Sequence, residues 1–420
     1  MSKITVRCKV EGVRSIFKPK LISFNTGTDL NMRLEGCIGM NGLSPIAADL
    51  VDLAATVYQI DRHITSWWAA NYPARIQLRM QLRRPNAWSD RAIKALQAAL
   101  QILGNTPWDI DFESGLRAAI PKHHKESARK ISQVVLFSGG ADSTCGAITL
   151  RPEAKESQLV SFYTVQKNLQ RMLASALGFV APNQWRMQWA KEPGPGRSFY
   201  FRSFLFLALA GVVAESWNAR TILQFENGIL ATGIPPTPYW MMTKHAHPRL
   251  HLAIAELFSV LFDGSWKIVN PFLTWTKREC VKHAASAMNP EEAMRLLAQT
   301  ETCWYLRSNH VPGGKKRPGM PCGICVPCVL RRTAIPNERY QYDLLKDSIK
   351  KDKKYGAAFR AYYAFLRKVQ HSGNVAAKFY SLLPAAGRNL ADESGCLKLD
   401  DLHKLFRNFA FEFMETFRIS

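Results

Sequence analysis

The sequence lacks an apolar stretch long enough to cross a bilayer. Its longest, Phe204–Ala214, is eleven residues, against the ~20 that a membrane helix needs. The N-terminus, MSKITVRCKVEG, has no apolar core of the kind a signal peptide carries. These two absences predict a cytoplasmic protein with no membrane partner. Acidic residues are scarce: 33 against 56 Lys plus Arg in 420 residues, a net charge of +23. That surplus favours anionic partners such as nucleotides, nucleic acid or an acidic protein, without choosing among them. Internal repeats and low-complexity tracts are also missing. With 47% hydrophobic and 21% charged residues, a disordered or fibrous chain is excluded. The nine cysteines are odd in number, and in a cytoplasmic chain they do not read as a disulfide framework.

The hydrophobic pattern divides the chain. Residues 1–115 read as an N-terminal α+β domain, with Lys3–Val10 and Leu21–Asn25 as strands and Ala48–Trp67 as a helix. Arg75–Arg83 alternates with period two. Ile76, Leu78, Met80 and Leu82 face one way and Arg75, Arg79 and Arg83 the other, so a half-buried strand with an arginine face is expected. Ser89 or Asp90 caps a helix that ends at Gly104, and Trp108–Phe112 is a further strand. Residues 116–131 form a basic connector. From 132 to 336 the apolar runs Gln133–Phe137, Leu159–Thr164, Thr221–Phe225 and Lys267–Pro271 alternate with helices such as Phe204–Trp217. That predicts an α/β domain with a doubly wound parallel sheet. Residues 337–420 turn helical. Leu402, Leu405, Phe406, Phe409, Phe413 and Phe417 mark the core stripe of a C-terminal helix.

Two motifs carry chemistry. Ser138-Gly139-Gly140-Ala141-Asp142-Ser143-Thr144 directly follows a buried strand and opens a helix. Glycine lets polyphosphate approach backbone N–H groups, and a helix N-terminus adds donors and partial positive charge. Ser138, Ser143 and Thr144 offer hydroxyls. Asp142 offers no donor; it would cap the helix, hold Mg²⁺ or order a neighbour. No lysine followed by Ser or Thr closes the loop, so it is not a Walker A loop. The plainer alternative is a Gly-Gly turn capped by Asp and Ser. The second motif is Cys322-Gly-Ile-Cys325-Val-Pro-Cys328 with Cys303 upstream. Such knuckles let thiolates converge on Zn²⁺ at ~2.3 Å, and four of them saturate a structural site. Free thiols or a redox pair are the alternatives. His245, His247 and His251 share a loop and helix start with no carboxylate at matching spacing, and predict no second metal site.

The loop resembles that of the N-type ATP pyrophosphatases, the PP-loop enzymes. Loop, cysteine set and trailing Leu330-Arg331-Arg332 together resemble the QueC-type 7-cyano-7-deazaguanine synthases, over residues 131–335. The resemblance implies an adenine nucleotide alpha-hydrolase-like fold and ATP cleaved between its α and β phosphates, with Mg²⁺ on the polyphosphate. It puts Ser138, Gly139, Gly140, Asp142, Ser143, Thr144, Phe162 and Tyr163 at the nucleotide. Arg202 and Lys277 become candidates to neutralise phosphate charge, and Ser138, Asp142 and Ser143 join them as catalytic candidates. The acceptor side departs from the family. Tyr163-Thr164-Val165-Gln166-Lys167-Asn168 lacks the usual glycine and histidine, and Glu226-Asn227-Gly228-Ile229-Leu230 replaces an Asp-rich segment. Glu226, Asn227 and Gly228 are therefore candidate substrate residues, at a strand end where α/β folds bind ligands. With its added N- and C-terminal regions, the build is similar to the QatC-type components of the Qat anti-phage defence system. That implies partner proteins of the same operon, a deazapurine carboxylate as substrate, and an amine supplied by a partner protein as acceptor. Alternatives are a synthase using ammonia, a tRNA-modifying PP-loop ATPase and a nucleotide-binding scaffold. Nucleic acid is not favoured, because no cysteine outside the zinc set has a thiolation motif.

Overall fold

The computed structural model describes residues 4–12, 20–26, 29–65, 73–115, 123–126, 129–162, 166–189, 200–237, 242–304, 320–335, 338–353, 355–392 and 397–418. Its strands are β1 (Ile4–Gly12), β2 (Lys20–Thr26), β3 (Leu30–Glu35), β4 (Cys37–Ile38), β5 (Pro73–Leu82), β6 (Trp108–Ser114), β7 (His124–Lys125), β8 (Gln133–Leu136), β9 (Ser157–Phe162), β10 (Asn183–Trp189), β11 (Thr221–Gln224) and β12 (Lys267–Val269). Among the described residues, ten of them form one sheet in the order β12-β11-β8-β9-β10-β3-β2-β1-β5-β6, and β4 pairs with β7. From β12 to β10 all neighbours are parallel. The steps β10–β3, β2–β1 and β1–β5 are antiparallel. The protein is thus α/β with a mixed, mostly parallel sheet.

By internal contacts the chain divides into two compact units. One comprises Met1–Ser138, Arg151–Gln224 and Thr243–Val269; the other Gly139–Leu150, Phe225–Met242 and Asn270–Ser420. The first unit holds the whole ten-stranded sheet. Residues 1–115, expected as a domain of their own, extend that sheet instead. The junction is β10, parallel to β9 on one side and antiparallel to β3 on the other, from Gln184 opposite Glu35 to Trp189 opposite Leu30. Leu30, Met32, Leu34 and Trp185 share one apolar cluster with Val134 and Val160, so both halves of the sheet bury against the same core. Helices Pro45–Thr65 and Arg202–Ser216 pack on each other within it. The second helix is buried nearly all round, which accounts for its unbroken apolar run.

Strand β5 corrects one expectation. Arg75 and Arg79 are exposed and meet Asp109 (3.4 Å) and Asp111 (3.6 Å) on β6. Arg83 does not share their face. The strand ends at Leu82, and Arg83 turns inward to Asp49 (2.9 Å) and Asp52 (2.7 Å), both buried on helix Pro45–Thr65. The N–H groups of Arg83 and Arg84 also donate to Asp49, at 2.9 and 2.8 Å. Period-two reading fails there because the strand has stopped and two buried carboxylates need a cation.

The second unit is helical among its described residues. Phe406, Phe409, Phe413 and Phe417 of the C-terminal helix Leu399–Thr416 and its end are fully buried, against Phe359, Tyr362, Phe365 and Phe379. No helix among the described residues is long and apolar enough to cross a membrane. Arg83→Ala is expected to lower unfolding free energy by roughly 3–5 kcal/mol, the effect of breaking a buried pair, while Arg75→Ala should change it by about 0–1 kcal/mol. Urea unfolding of the two variants measures the contrast; equal losses would contradict it.

Candidate functional site

The Gly-rich loop is built for a turn into a helix. Gly139 has φ +77°, and Gly140 is the N-cap of helix Ala141–Thr149 with no side chain to satisfy the first N–H groups. The Ser143 hydroxyl donates to the Gly140 carbonyl (3.1 Å), and Thr144 is fully buried. Gly146 sets where this helix lies. A Cβ there would sit 2.1 Å from the Phe225 ring, so only glycine lets the helix rest on Phe225. The next residues, Glu226 and Asn227, thereby come beside Asp142.

Four expected site residues meet in the second unit. The Lys277 ammonium, 2% exposed, donates to Asp142 Oδ2 at 2.5 Å. Asn227 Nδ2 donates to the same oxygen (3.2 Å) and to Glu226 Oε1 (3.1 Å). Burial alone would raise the Asp142 carboxyl, but the Lys277 charge and hydrogen bonds from Glu226, Lys277 and Asn227 hold it below the carboxylate range. Burial, reinforced by the Asp142 charge, pushes Glu226 well above that range. Burial would lower Lys277, yet Asp142 and Glu226 outweigh it and keep the ammonium charged. Burial and neighbouring charge thus push the two carboxyls in opposite directions beside one cation. Asp142 Oδ1 is buried with no hydrogen-bond partner, and an ionised carboxylate oxygen left open in this way fits a hard divalent cation such as Mg²⁺.

Sequence reasoning missed the residues that hold this group in place. Asn270 clamps the Glu226 backbone, its Nδ2 donating to the Glu226 carbonyl (2.7 Å) and its Oδ1 accepting from the Glu226 N–H (3.2 Å). Gly228, itself an expected site residue, donates its N–H to the Trp275 carbonyl (2.8 Å). Thr276 caps helix Lys277–Ala287 in a capping box with Glu279. A Thr followed three residues on by Glu was a legible signal for that cap.

Ser138, Phe162 and Arg202 lie in the first unit. The Ser138 carbonyl accepts from Gln170 Nε2 (3.1 Å). Phe162 ends β9 with its ring 5.6 Å from Phe206; Tyr163 falls outside the described residues. Arg202 has Nη2 2.9 Å from His245 Nε2, with its guanidinium over the Phe206 ring. Burial and the Arg202 charge keep His245 neutral. His251 Nε2 meets Gln224 Oε1 (3.0 Å), whose amide donates to the His245 carbonyl (3.1 Å).

The four clustered cysteines converge: the Sγ atoms of Cys303, Cys322, Cys325 and Cys328 all lie within 4.8 Å of one another and could hold a metal ion such as zinc. Cys325 caps helix Val326–Ala334, and the N–H groups of Ile324 and Cys325 both donate to Cys322 Sγ at 3.4 Å. Gly323 has φ +81°, and a Cβ there would meet the Tyr342 carbonyl at 2.6 Å. The trailing arginines lock the knuckle. Arg332 donates to the Gly323 carbonyl (3.3 Å) and the Tyr342 carbonyl (2.5 Å). Arg331, 1% exposed, binds Glu338 (2.7 Å) and Thr300 (2.6 Å).

No protein-family model matches the chain, and no curated protein matches it.

Elemental analysis is expected to give about one zinc per chain. Cys325→Ser or chelation should lower the melting temperature, and a metal-free protein of equal stability would contradict the site. A second expectation concerns Glu226. Its raised pKa means that its stabilising, protonated form is complete below the ordinary 4.5 and is lost as pH climbs through the raised value. Glu226→Gln should therefore flatten the fall of the urea midpoint as pH rises above 4.5; an unchanged fall would refute it.

Proposed function

We propose that the chain is a QueC-like, QatC-type PP-loop ATP pyrophosphatase that acts as an adenylating ligase in anti-phage defence. The observation that supports this reading is the buried Asp142–Lys277 pair with Glu226 and Asn227. Asp142 and Lys277 occupy positions that the resemblance singled out, and Asp142 lies within the Gly-rich loop itself; Glu226 and Asn227 stand where the chain departs from the family.

In the proposed reaction a carboxylate oxygen, as in 7-carboxy-7-deazaguanine, attacks the α-phosphorus of ATP and pyrophosphate leaves. The acyl-adenylate is then attacked by an amine; the amide forms, AMP departs and the amine loses a proton. Loop N–H groups at the helix start meet the polyphosphate charge. Lys277 adds a cation that Asp142 keeps charged and aimed. Asp142 would hold Mg²⁺ through its open Oδ1, and the ion would supply further neutralisation of the phosphates. Asn227 and Glu226 stand where the chain departs from the family, on the acceptor side. That departure, with the large regions added around the core, favours a partner-protein amine over free ammonia.

Purified protein given ATP and the deazapurine acid is expected to release pyrophosphate and AMP. Lys277→Met should slow this by about 10²-fold or more, the size of one lost electrostatic stabiliser. Formation of ADP and phosphate would sink the reading. Intact-mass analysis of co-expressed operon partners should show the deazaguanine acid added less one water, and Asp142→Asn should abolish it. Accumulation of a free nitrile with no partner mass change would point to the ammonia-using synthase.

A further inference from the structure

The C-terminal helix Leu399–Thr416 commits a run of side chains to one place, the first turn of helix Lys277–Ala287. Asn408 Nδ2 donates to Glu279 Oε1 (2.8 Å). The Thr276 hydroxyl donates to Glu412 Oε1 (2.8 Å). Arg278 donates to the Glu412 carbonyl (3.4 Å) and the Thr416 hydroxyl (3.0 Å), and pairs with Glu415. Residues 276, 278 and 279 are all gripped, and the one between them is Lys277.

We propose that Glu412 is a positioning residue for Lys277, acting through the Thr276 cap. A hydroxyl has one proton and rotates freely. Giving that proton to Glu412 turns a lone pair of Thr276 Oγ1 toward the Glu279 N–H, which it accepts at 3.1 Å. The reciprocal bond, Thr276 N–H to Glu279 Oε2, is 2.7 Å. Glu412 therefore sets the rotor on which the cap depends, and the cap fixes the backbone of the next residue, whose ammonium must reach Asp142. Stability alone gives little reason for a carboxyl here. Glu412 is 6% exposed, its Oε2 is buried without a partner, and Thr276 is fully buried. A buried polar atom left unpaired costs stability, and such a group invites a functional explanation.

The inference rests on Lys277 acting in the adenylation proposed above, so the test carries a readout that does not need turnover. The full chain is treated with an amine-acylating reagent, and modification of Lys277 is followed by peptide mass spectrometry, with exposed lysines as internal controls. Glu412→Ala is expected to speed Lys277 acylation by about tenfold, the scale of one lost N-cap. In pyrophosphate release it should lower kcat more than it raises the KM for ATP. Glu412→Gln keeps an acceptor for the Thr276 hydroxyl and should restore both. Thr276→Val serves as the second variant where Glu412→Ala does not fold, with the same acylation expected. Wild-type protection of Lys277 in a folded Glu412→Ala or Thr276→Val protein overturns the proposal. Enhanced acylation in a protein that releases no pyrophosphate even as wild type supports the positioning role and overturns the adenylation reading alone.

Discussion

Burying the Lys277 ammonium is the constraint around which the candidate site of the second unit is arranged. A cation taken out of water needs an anion in good geometry and further hydrogen bonds around the pair. Asp142 supplies the anion at 2.5 Å, and it can do so only because Gly146 lets its helix settle on Phe225. Asn227 and Glu226 complete the surroundings, and Asn270 holds the Glu226 backbone. The pair therefore ties together three stretches far apart in sequence: the helix after the Gly-rich loop, the turn after β11 and the helix that Thr276 caps. Each exists in its present form because the others are there.

Much of this was legible. The Gly-rich turn into a helix, the four-cysteine set and the phenylalanine stripe announce themselves by spacing, since each depends on local geometry. The sheet was only half legible. β3 (Leu-Asn-Met-Arg-Leu-Glu) and β10 (Asn-Gln-Trp-Arg-Met-Gln-Trp) do alternate with period two, but both are short and polar on every second residue, so neither stands out from loop. Missing them hid the seam that joins the N-terminal strands to the α/β strands. Arg83 misled for the opposite reason: its pattern continued one residue beyond the strand. The partners of Lys277 were nameable as candidates, but their meeting is long-range, and no periodicity encodes contact between residues 142, 227 and 277.

The positive charge reads differently once placed. Arg83, Arg278, Arg331 and Arg332 hold carboxylates or carbonyls inside the protein. They are structural cross-braces and add little to any outward field. Arg331 and Arg332, which the sequence offered only as a trailing pattern after the cysteines, clamp the cysteine knuckle to the segments around Thr300 and Tyr342. Arginine suits this, because its planar fork satisfies several acceptors at once.

The interleaving of the two units bears on how the chain acquires its structure during synthesis. Gly139–Leu150 and Phe225–Met242 belong with Asn270–Ser420, while Thr243–Val269 belongs with what precedes. The helix carrying Asp142 therefore leaves the ribosome well over a hundred residues before Lys277. Its contacts with Phe225 and Asn227 wait about eighty residues, and Asp142 has no cation until Lys277 is made. The first unit, in turn, cannot finish its sheet before β12 has been made. Contacts of such sequence separation carry a large loop-closure cost before any reward and slow the search for the native state. Nascent chains halted between Leu150 and Asn270 would carry an orphaned segment exposed to aggregation and to chaperones. Neither unit corresponds to a continuous fragment that could be expressed by itself.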